Sequence, residues 1–138
     1  MSRKLSRRPR FLVADDHPVV AKGVANILAE LGADVLGPAT DGLHALQLWL
    51  GAQPEATVLD FAMPGLTGLQ VLQAIRAHEQ QSRPSAPCFV VIFSAHSEPS
   101  FADDCLAHGA DVFLNKHSNF HRLREVAAEA VSKFAAGL

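Results

Sequence analysis

Short apolar runs alternate with stretches of helical period along this chain, and that alternation is the mark of a parallel sheet covered on both faces. Five runs read as strands: Phe11 to Ala14, Ala33 to Leu36, Ala56 to Leu59, Phe89 to Phe93 and Asp111 to Leu114. Between them, Val20, Val24, Ile27, Leu28 and Leu31 fall on one helical stripe that Gly32 ends. Leu43, Leu46, Trp49 and Leu50 form a second, closed by Gly51, and Leu69, Leu72 and Ile75 a third. The segment from about Pro99 to His108 carries the weakest stripe, with Phe101 and Cys105 its only bulky apolar pair at helical spacing, and weak anchoring predicts mobility. Phe120, Leu123, Ala127, Ala130, Val131 and Phe134 form the last stripe, and Gln80 to Pro87 reads as a loop. The predicted fold is α/β: a doubly wound, five-stranded parallel sheet of flavodoxin-like order 2-1-3-4-5, with helices on both faces.

Composition agrees with one packed unit. The chain has 138 residues, 49% of them hydrophobic and 19% charged, which is far from the signature of disorder and about the size of an ordinary domain. The expected organisation is a basic tail over residues 1–9 and a single domain over 10–138. Arg3, Lys4, Arg7, Arg8 and Arg10 are unopposed by any acid in the first ten residues, which leaves a net −7 on the rest of a chain whose total is −2. An acidic body argues against direct DNA binding, which calls for a basic face. No apolar run approaches the roughly 20 residues of a membrane span, and Asp15 and Asp16 interrupt the apolar segment behind the basic start before it can serve as a signal core. A cytoplasmic location with no membrane partner is expected, and Cys88 and Cys105 read as reduced, structural thiols.

The chemistry collects at one edge. In an open parallel sheet, ligands bind beyond the carboxyl ends of the strands. The first strand candidate runs into Asp15 and Asp16, the third into Asp60, the fourth into Ser94, and the fifth, after Asn115, into Lys116. Each alone has a plain structural reading as a helix cap, a turn acid or a loop residue. Four of five strand ends delivering such side chains to one edge point instead to a site. Two carboxylates about 5 Å apart at an effective dielectric near ~20 repel by on the order of 3 kcal/mol, so a cation is required. Lys116 offsets one charge, and the excess suits a hard divalent ion with oxygen ligands, Mg²⁺ where phosphate is handled. With Ser94 as a hydroxyl donor, the set fits phosphoryl transfer, with Asp60 as nucleophile and Asp15 and Asp16 as a metal-holding pair.

Asp15-Asp16-His17-Pro18, Asp60-Phe61-Ala62-Met63-Pro64-Gly65, Ser94-Ala95, and Lys116 preceded by Gly109-Ala110 together resemble the receiver domain of two-component response regulators, from Arg10 to about Phe134. The resemblance implies that Asp60 is the phosphoacceptor, that Asp15, Asp16, Asp60 and the Ala62 carbonyl bind Mg²⁺, and that Ser94 and Lys116 hold the phosphoryl oxygens. It further implies Ser94 and Phe113 as switch residues, Ala62 and His96 as residues flanking the acyl phosphate and tuning its hydrolysis, and a histidine kinase or histidine phosphotransfer protein as phosphodonor. A downstream protein is expected on the fourth helix, fifth strand and last helix, with a homodimer as a further option. The Asp-Asp-His-Pro wording is similar to receivers that precede a helix-turn-helix output domain, and with none after Phe134 the chain reads as a stand-alone receiver or a piece excised from such a regulator. Against the family pattern, Ser94 replaces the commoner Thr, Phe113 the frequent Tyr, and His117 a frequent Pro.

Two competing functions are weighed. A Mg²⁺-dependent phosphatase of the haloacid-dehalogenase kind carries a second acid two residues after its nucleophile, and Ala62 stands there. A degenerate receiver acting as a phosphorylation-independent interaction module conflicts with the complete set of Asp15, Asp16, Asp60, Ser94 and Lys116. His117 and His121, four apart with His96 in reach, form a separate candidate metal pair that lacks a placed third ligand.

Overall fold

The computed structural model describes residues 8–82, 84, 86–96, 98–117 and 120–136. Most of the expected basic tail, including Arg3, Lys4 and Arg7, lies outside the described residues. Among the described residues, five strands and five helices alternate: β1 Arg10–Ala14, α1 Pro18–Glu30, β2 Asp34–Ala39, α2 Gly42–Ala52, β3 Ala56–Leu59, α3 Gly68–Ser82, β4 Phe89–Ser94, α4 Pro99–Ala107, β5 Val112–Asn115 and α5 Phe120–Ala135. The strands are all parallel, in the order β2-β1-β3-β4-β5.

Side-chain alternation divides the core. Leu12, Ala14, Leu59, Val90 and Ile92 pack beneath α2, α3 and α4, where Trp49, Val71, Leu72, Ile75 and Cys105 are buried. Phe11, Val13, Val58, Val91, Phe93 and Leu114 point to the opposite face, against Val24 and Leu28 of α1 and Leu123, Ala127 and Val131 of α5. β1, β3 and β4 supply both clusters, so their continuous apolar runs follow from burial on two sides.

Several helix faces differ from the periodicity reading. α1 buries Ala21, Val24 and Leu28, while Ile27 lies at the margin. α2 buries Gly42, Ala45 and Trp49 and leaves Leu43 and Leu50 exposed. It also runs through Gly51 to Ala52 and is capped by Gln53 in a left-handed conformation at φ 46°. The cause is close approach: a Cβ at Gly42 would collide with the Leu66 carbonyl oxygen, so the start of this helix sits too near the loop before α3 for a side chain at that position. α3 extends to Ser82, three residues into the expected loop. Its start is set by a reciprocal cap, the Thr67 amide donating to Gln70 Oε1 (2.9 Å) and the Gln70 amide to Thr67 Oγ1 (3.1 Å).

Candidate functional site

Backbone ladders continue one residue beyond the strands and pin the polar residues there. The Asp15 amide donates to the Ala39 carbonyl (2.9 Å), Asp60 to Ala14 (2.8 Å) and Lys116 to Ser94 (2.8 Å). β2, β1, β3, β4 and β5 therefore present Asp15, Asp60, Ser94 and Lys116 at one end, each positioned by the adjacent strand. Gly68 closes α3 onto the same place. Its amide donates to the Phe61 carbonyl (2.7 Å), and a Cβ on it would collide with the Asp60 carbonyl oxygen.

Asp15, Asp60, Ser94 and Lys116 are all buried. Lys116 Nζ lies 2.7 Å from Asp15 Oδ2 and 3.3 Å from Asp60 Oδ1, bridging the two carboxylates. Their other oxygens turn toward His17, whose Nδ1 is 3.0 Å from Asp15 Oδ1, 3.1 Å from Asp16 Oδ1 and 3.7 Å from Asp60 Oδ2. Asp60 Oδ2 and Asp16 Oδ1 are shielded from solvent and accept no hydrogen bond. Burial first, and the Asp15 charge second, raise the Asp60 carboxyl from 3.8 to about 6, with Lys116 pulling the other way.

The donor set fits a hard divalent cation. Ligand atoms of Asp15, Asp16, His17 and Asp60 lie within 4.8 Å of one another, and two of the carboxylate oxygens among them have no hydrogen-bond partner. Neither Asp15 nor Asp16 caps α1. His17 holds the N-cap position, Pro18 opens the helix, and the Asp15 carboxylate accepts the His17 amide instead (2.9 Å).

The remaining sequence-derived positions fall around this pocket. The Ser94 hydroxyl oxygen accepts the His96 amide (3.0 Å). Ala62 is exposed on the loop after Asp60. Phe113, half-buried, packs on the α4 side of the sheet, and Ile92 is its partner in the β4–β5 register, with Ser94 opposite Asn115. Two residues given no role from sequence also belong to the picture. His17 closes over the carboxylates, and the Phe61 ring lies 4.7 Å from that of Phe101 and 5.9 Å from that of His96. Both were visible only as members of a motif, because nothing in their spacing says where the rings turn. The His117 and His121 pair gains no third ligand among the described residues, and His121 faces Glu125 at 3.7 Å. Cys88 and Cys105 are buried and unpaired, and burial raises both thiols, Cys105 to about 11, so they stay protonated.

A buried aspartate, a bridging lysine and an acidic pocket lie together at the strand ends of a 2-1-3-4-5 sheet, and residues 11–128 match the response regulator receiver domain. The chain belongs to that family and is a receiver domain of two-component signalling. It is 39% identical over 119 residues to the transcriptional regulatory protein NarL of Mycobacterium tuberculosis, covering 86% of this chain and 52% of that protein. It is 38% identical over 127 residues to a protein-glutamate methylesterase/protein-glutamine glutaminase of Myxococcus xanthus, covering 90% and 35%. Among solved structures, the signal receiver domain of NarL from Mycobacterium tuberculosis superposes with a TM-score of 0.77 at 36% identity, covering 96% of this chain and 99% of that one. The chain spans about half the length of the curated relatives it matches, NarL and BvgA among them. No helix of the described residues is long and apolar enough to cross a membrane.

Proposed function

We propose that Asp60 accepts a phosphoryl group from a histidine kinase or histidine phosphotransfer protein, and that phosphorylation changes a protein-binding surface formed by α4, β5 and α5. The observation that carries this reading is the division of labour on the Asp60 carboxylate: Oδ1 faces Lys116 at 3.3 Å, while Oδ2 is buried with no hydrogen bond. Oδ2 is the free nucleophile. It attacks phosphorus in line, the new O–P bond forms as the bond to the donor's imidazole nitrogen breaks, and that nitrogen departs with the electron pair. Lys116, released from part of its contact with Asp60, pairs with a phosphoryl oxygen, and the Ser94 hydroxyl donates to another. Mg²⁺, held by Asp15, Asp16, Asp60 and the Ala62 carbonyl, supplies neutralisation of charge on the transferred oxygens when bound. Ala62 and His96 flank the acyl phosphate and regulate the approach of water. Ser94 and Phe113, on the same face of the sheet as α4, carry the rearrangement outward.

The chain acts as a phosphoacceptor in the cytoplasm, as one domain over residues 10–138 with a basic tail before it. Incubation with acetyl phosphate and Mg²⁺ tests the chemistry. Intact mass should rise by one phosphoryl group, and both Asp60→Asn and EDTA should abolish the gain. Labelling that survives Asp60→Asn would show another residue to be the acceptor, and a protein that stays unlabelled with its set of five polar residues intact would favour the phosphorylation-independent module.

A further inference from the structure

We infer that the outward face of α2 is a contact between two copies of this chain, the two helices meeting antiparallel across a two-fold axis at Gln47. This goes beyond the phosphoacceptor reading and does not depend on it.

The face is apolar where a free surface would carry charge. The spacing of Leu43, Leu46, Trp49 and Leu50 predicted one buried stripe, yet of these only Trp49 is buried. Leu43 is 55% exposed and Leu50 43%, and Leu46 lies at the margin. Leu43, Gln47, Leu50 and Gly51, all exposed, stand at i, i+4, i+7 and i+8 and so share one side of the helix. Ala45 and Trp49 anchor the other side in the core. Of the five helices among the described residues, α2 alone has no Asp, Glu, Lys or Arg.

Charge and shape together single out a second copy as the occupant. The chain beyond its first ten residues carries a net −7, so two copies repel, and they approach at least cost through a face without charge. The face also fits itself. In a two-fold contact each position meets the one equally far along the helix on the other side of the axis. With the axis at Gln47, Leu43 of one copy meets Gly51 of the other. A Cβ placed at Gly51 would have no neighbour within 4 Å, so the projecting leucine has a hole to enter. His44 meets Leu50 in the same way, and the two Gln47 amides, each with donors and an acceptor, meet at the axis. The start of the helix is fixed before any partner arrives: the Asp41 carboxylate accepts the His44 amide (2.7 Å), and the Gly42 amide donates to the Pro64 carbonyl (3.1 Å).

One helix face per copy is a smaller contact than the standard interface, whose affinities run from micromolar to picomolar, so a dissociation constant above about 1 µM is expected. The test is analytical ultracentrifugation from about 10 µM to about 1 mM, in EDTA and without a phosphodonor, so that Asp60 chemistry does not enter. Wild type should pass from monomer to dimer over that range. Gln47→Glu and Gln47→Lys should each weaken association at least about tenfold, because the axis brings two like charges together, and an equimolar mixture of the two variants should restore it. Gly51→Leu, which fills the hole, should weaken it as well. Both positions are exposed, and circular dichroism should show wild-type helix content in all three variants. Wild type that stays monomeric to the top of the range overturns the second copy as occupant. Association that Gln47→Glu leaves unchanged puts the dimer on another face, and a mixture that stays monomeric removes the two-fold axis; either result overturns the inference.

Discussion

Asp60 works against the fold that holds it. Its carboxyl titrates near 6 in the folded chain, against an ordinary 3.8, chiefly because burial disfavours the charge. Between those values the folded chain binds more protons than the unfolded one. Stability therefore falls as pH rises through that window, and above about 6 the ionised carboxylate imposes its full cost. Asp60→Asn removes the charge and nearly preserves the shape. In EDTA at pH 7.5 this variant is expected to be more stable than wild type by about 1–3 kcal/mol, the gain shrinking toward zero as pH approaches 4. Denaturant melts at both ends of the range check it; a gain independent of pH would mean that Asp60 is not the titrating group. The polar residues that meet in this pocket were legible at this scale because each stands one or two positions past an apolar run, where a parallel sheet has its ligand edge. The turn that places His17 on the carboxylates was not, since it depends on the Asp15 side chain accepting the His17 amide.

At the scale of elements, large apolar side chains at helical spacing were a good guide in α5 and a poor one in α2, whose start lies close against the loop before α3. α5 buries Leu123, Ala127, Ala130 and Val131 as its stripe implies, and Phe120 sets its ring edge-on against Phe93 at 5.1 Å. α2 fails the same test, because Gly42 and Ala45 carry its contact and Leu43 turns to solvent. A polar clamp also escaped the reading. Arg76 of α3 donates through Nη1 to the Cys88 carbonyl (2.9 Å) and Glu79 (2.7 Å), and through Nη2 to the Gly109 carbonyl (2.8 Å) and Asp111 (3.2 Å). Its partners lie 3 to 35 positions away in sequence, a distance no periodicity reports. Glu79 in turn accepts the Cys88 amide, and Asp111 the Val90 amide, so one guanidinium secures the starts of β4 and β5 to α3. Arg76→Ala strands these part-buried acceptors and is expected to cost about 2–4 kcal/mol, measured by denaturant unfolding. Arg76→Lys should recover little, because an ammonium lacks the fork that reaches both strands. A loss below about 0.5 kcal/mol for Arg76→Ala would place the clamp with ordinary surface pairs.

At the scale of the whole molecule, a short aromatic bridge joins the loops around the acidic pocket to α4. Phe61 follows Asp60 in the chain and leans on Phe101 of α4 at 4.7 Å, and the His96 ring, two residues past Ser94, lies 5.3 Å from Phe101. Any movement of the loops around Asp60 and Ser94 therefore reaches α4 through packed rings, alongside the proposed rearrangement carried by Ser94 and Phe113. α4 is the helix with the fewest buried residues. Cys105 is its only buried residue, and Leu106 is nearly half exposed. Packed arrangements of this kind shift between discrete states, and a ligand moves the balance only by binding one state better. Beryllofluoride with a divalent ion, as a mimic of the phosphoryl group on Asp60, should accordingly alter amide hydrogen exchange across 98–117 as well as in the loops at Asp15, Asp60 and Ser94. Phe101→Ala should weaken the change in α4 while leaving that in the loops, since it cuts the bridge and not the pocket. Protection that changes only at those three loops, with none in 98–117, would confine the event to the pocket and rule out α4 and β5 as the output face.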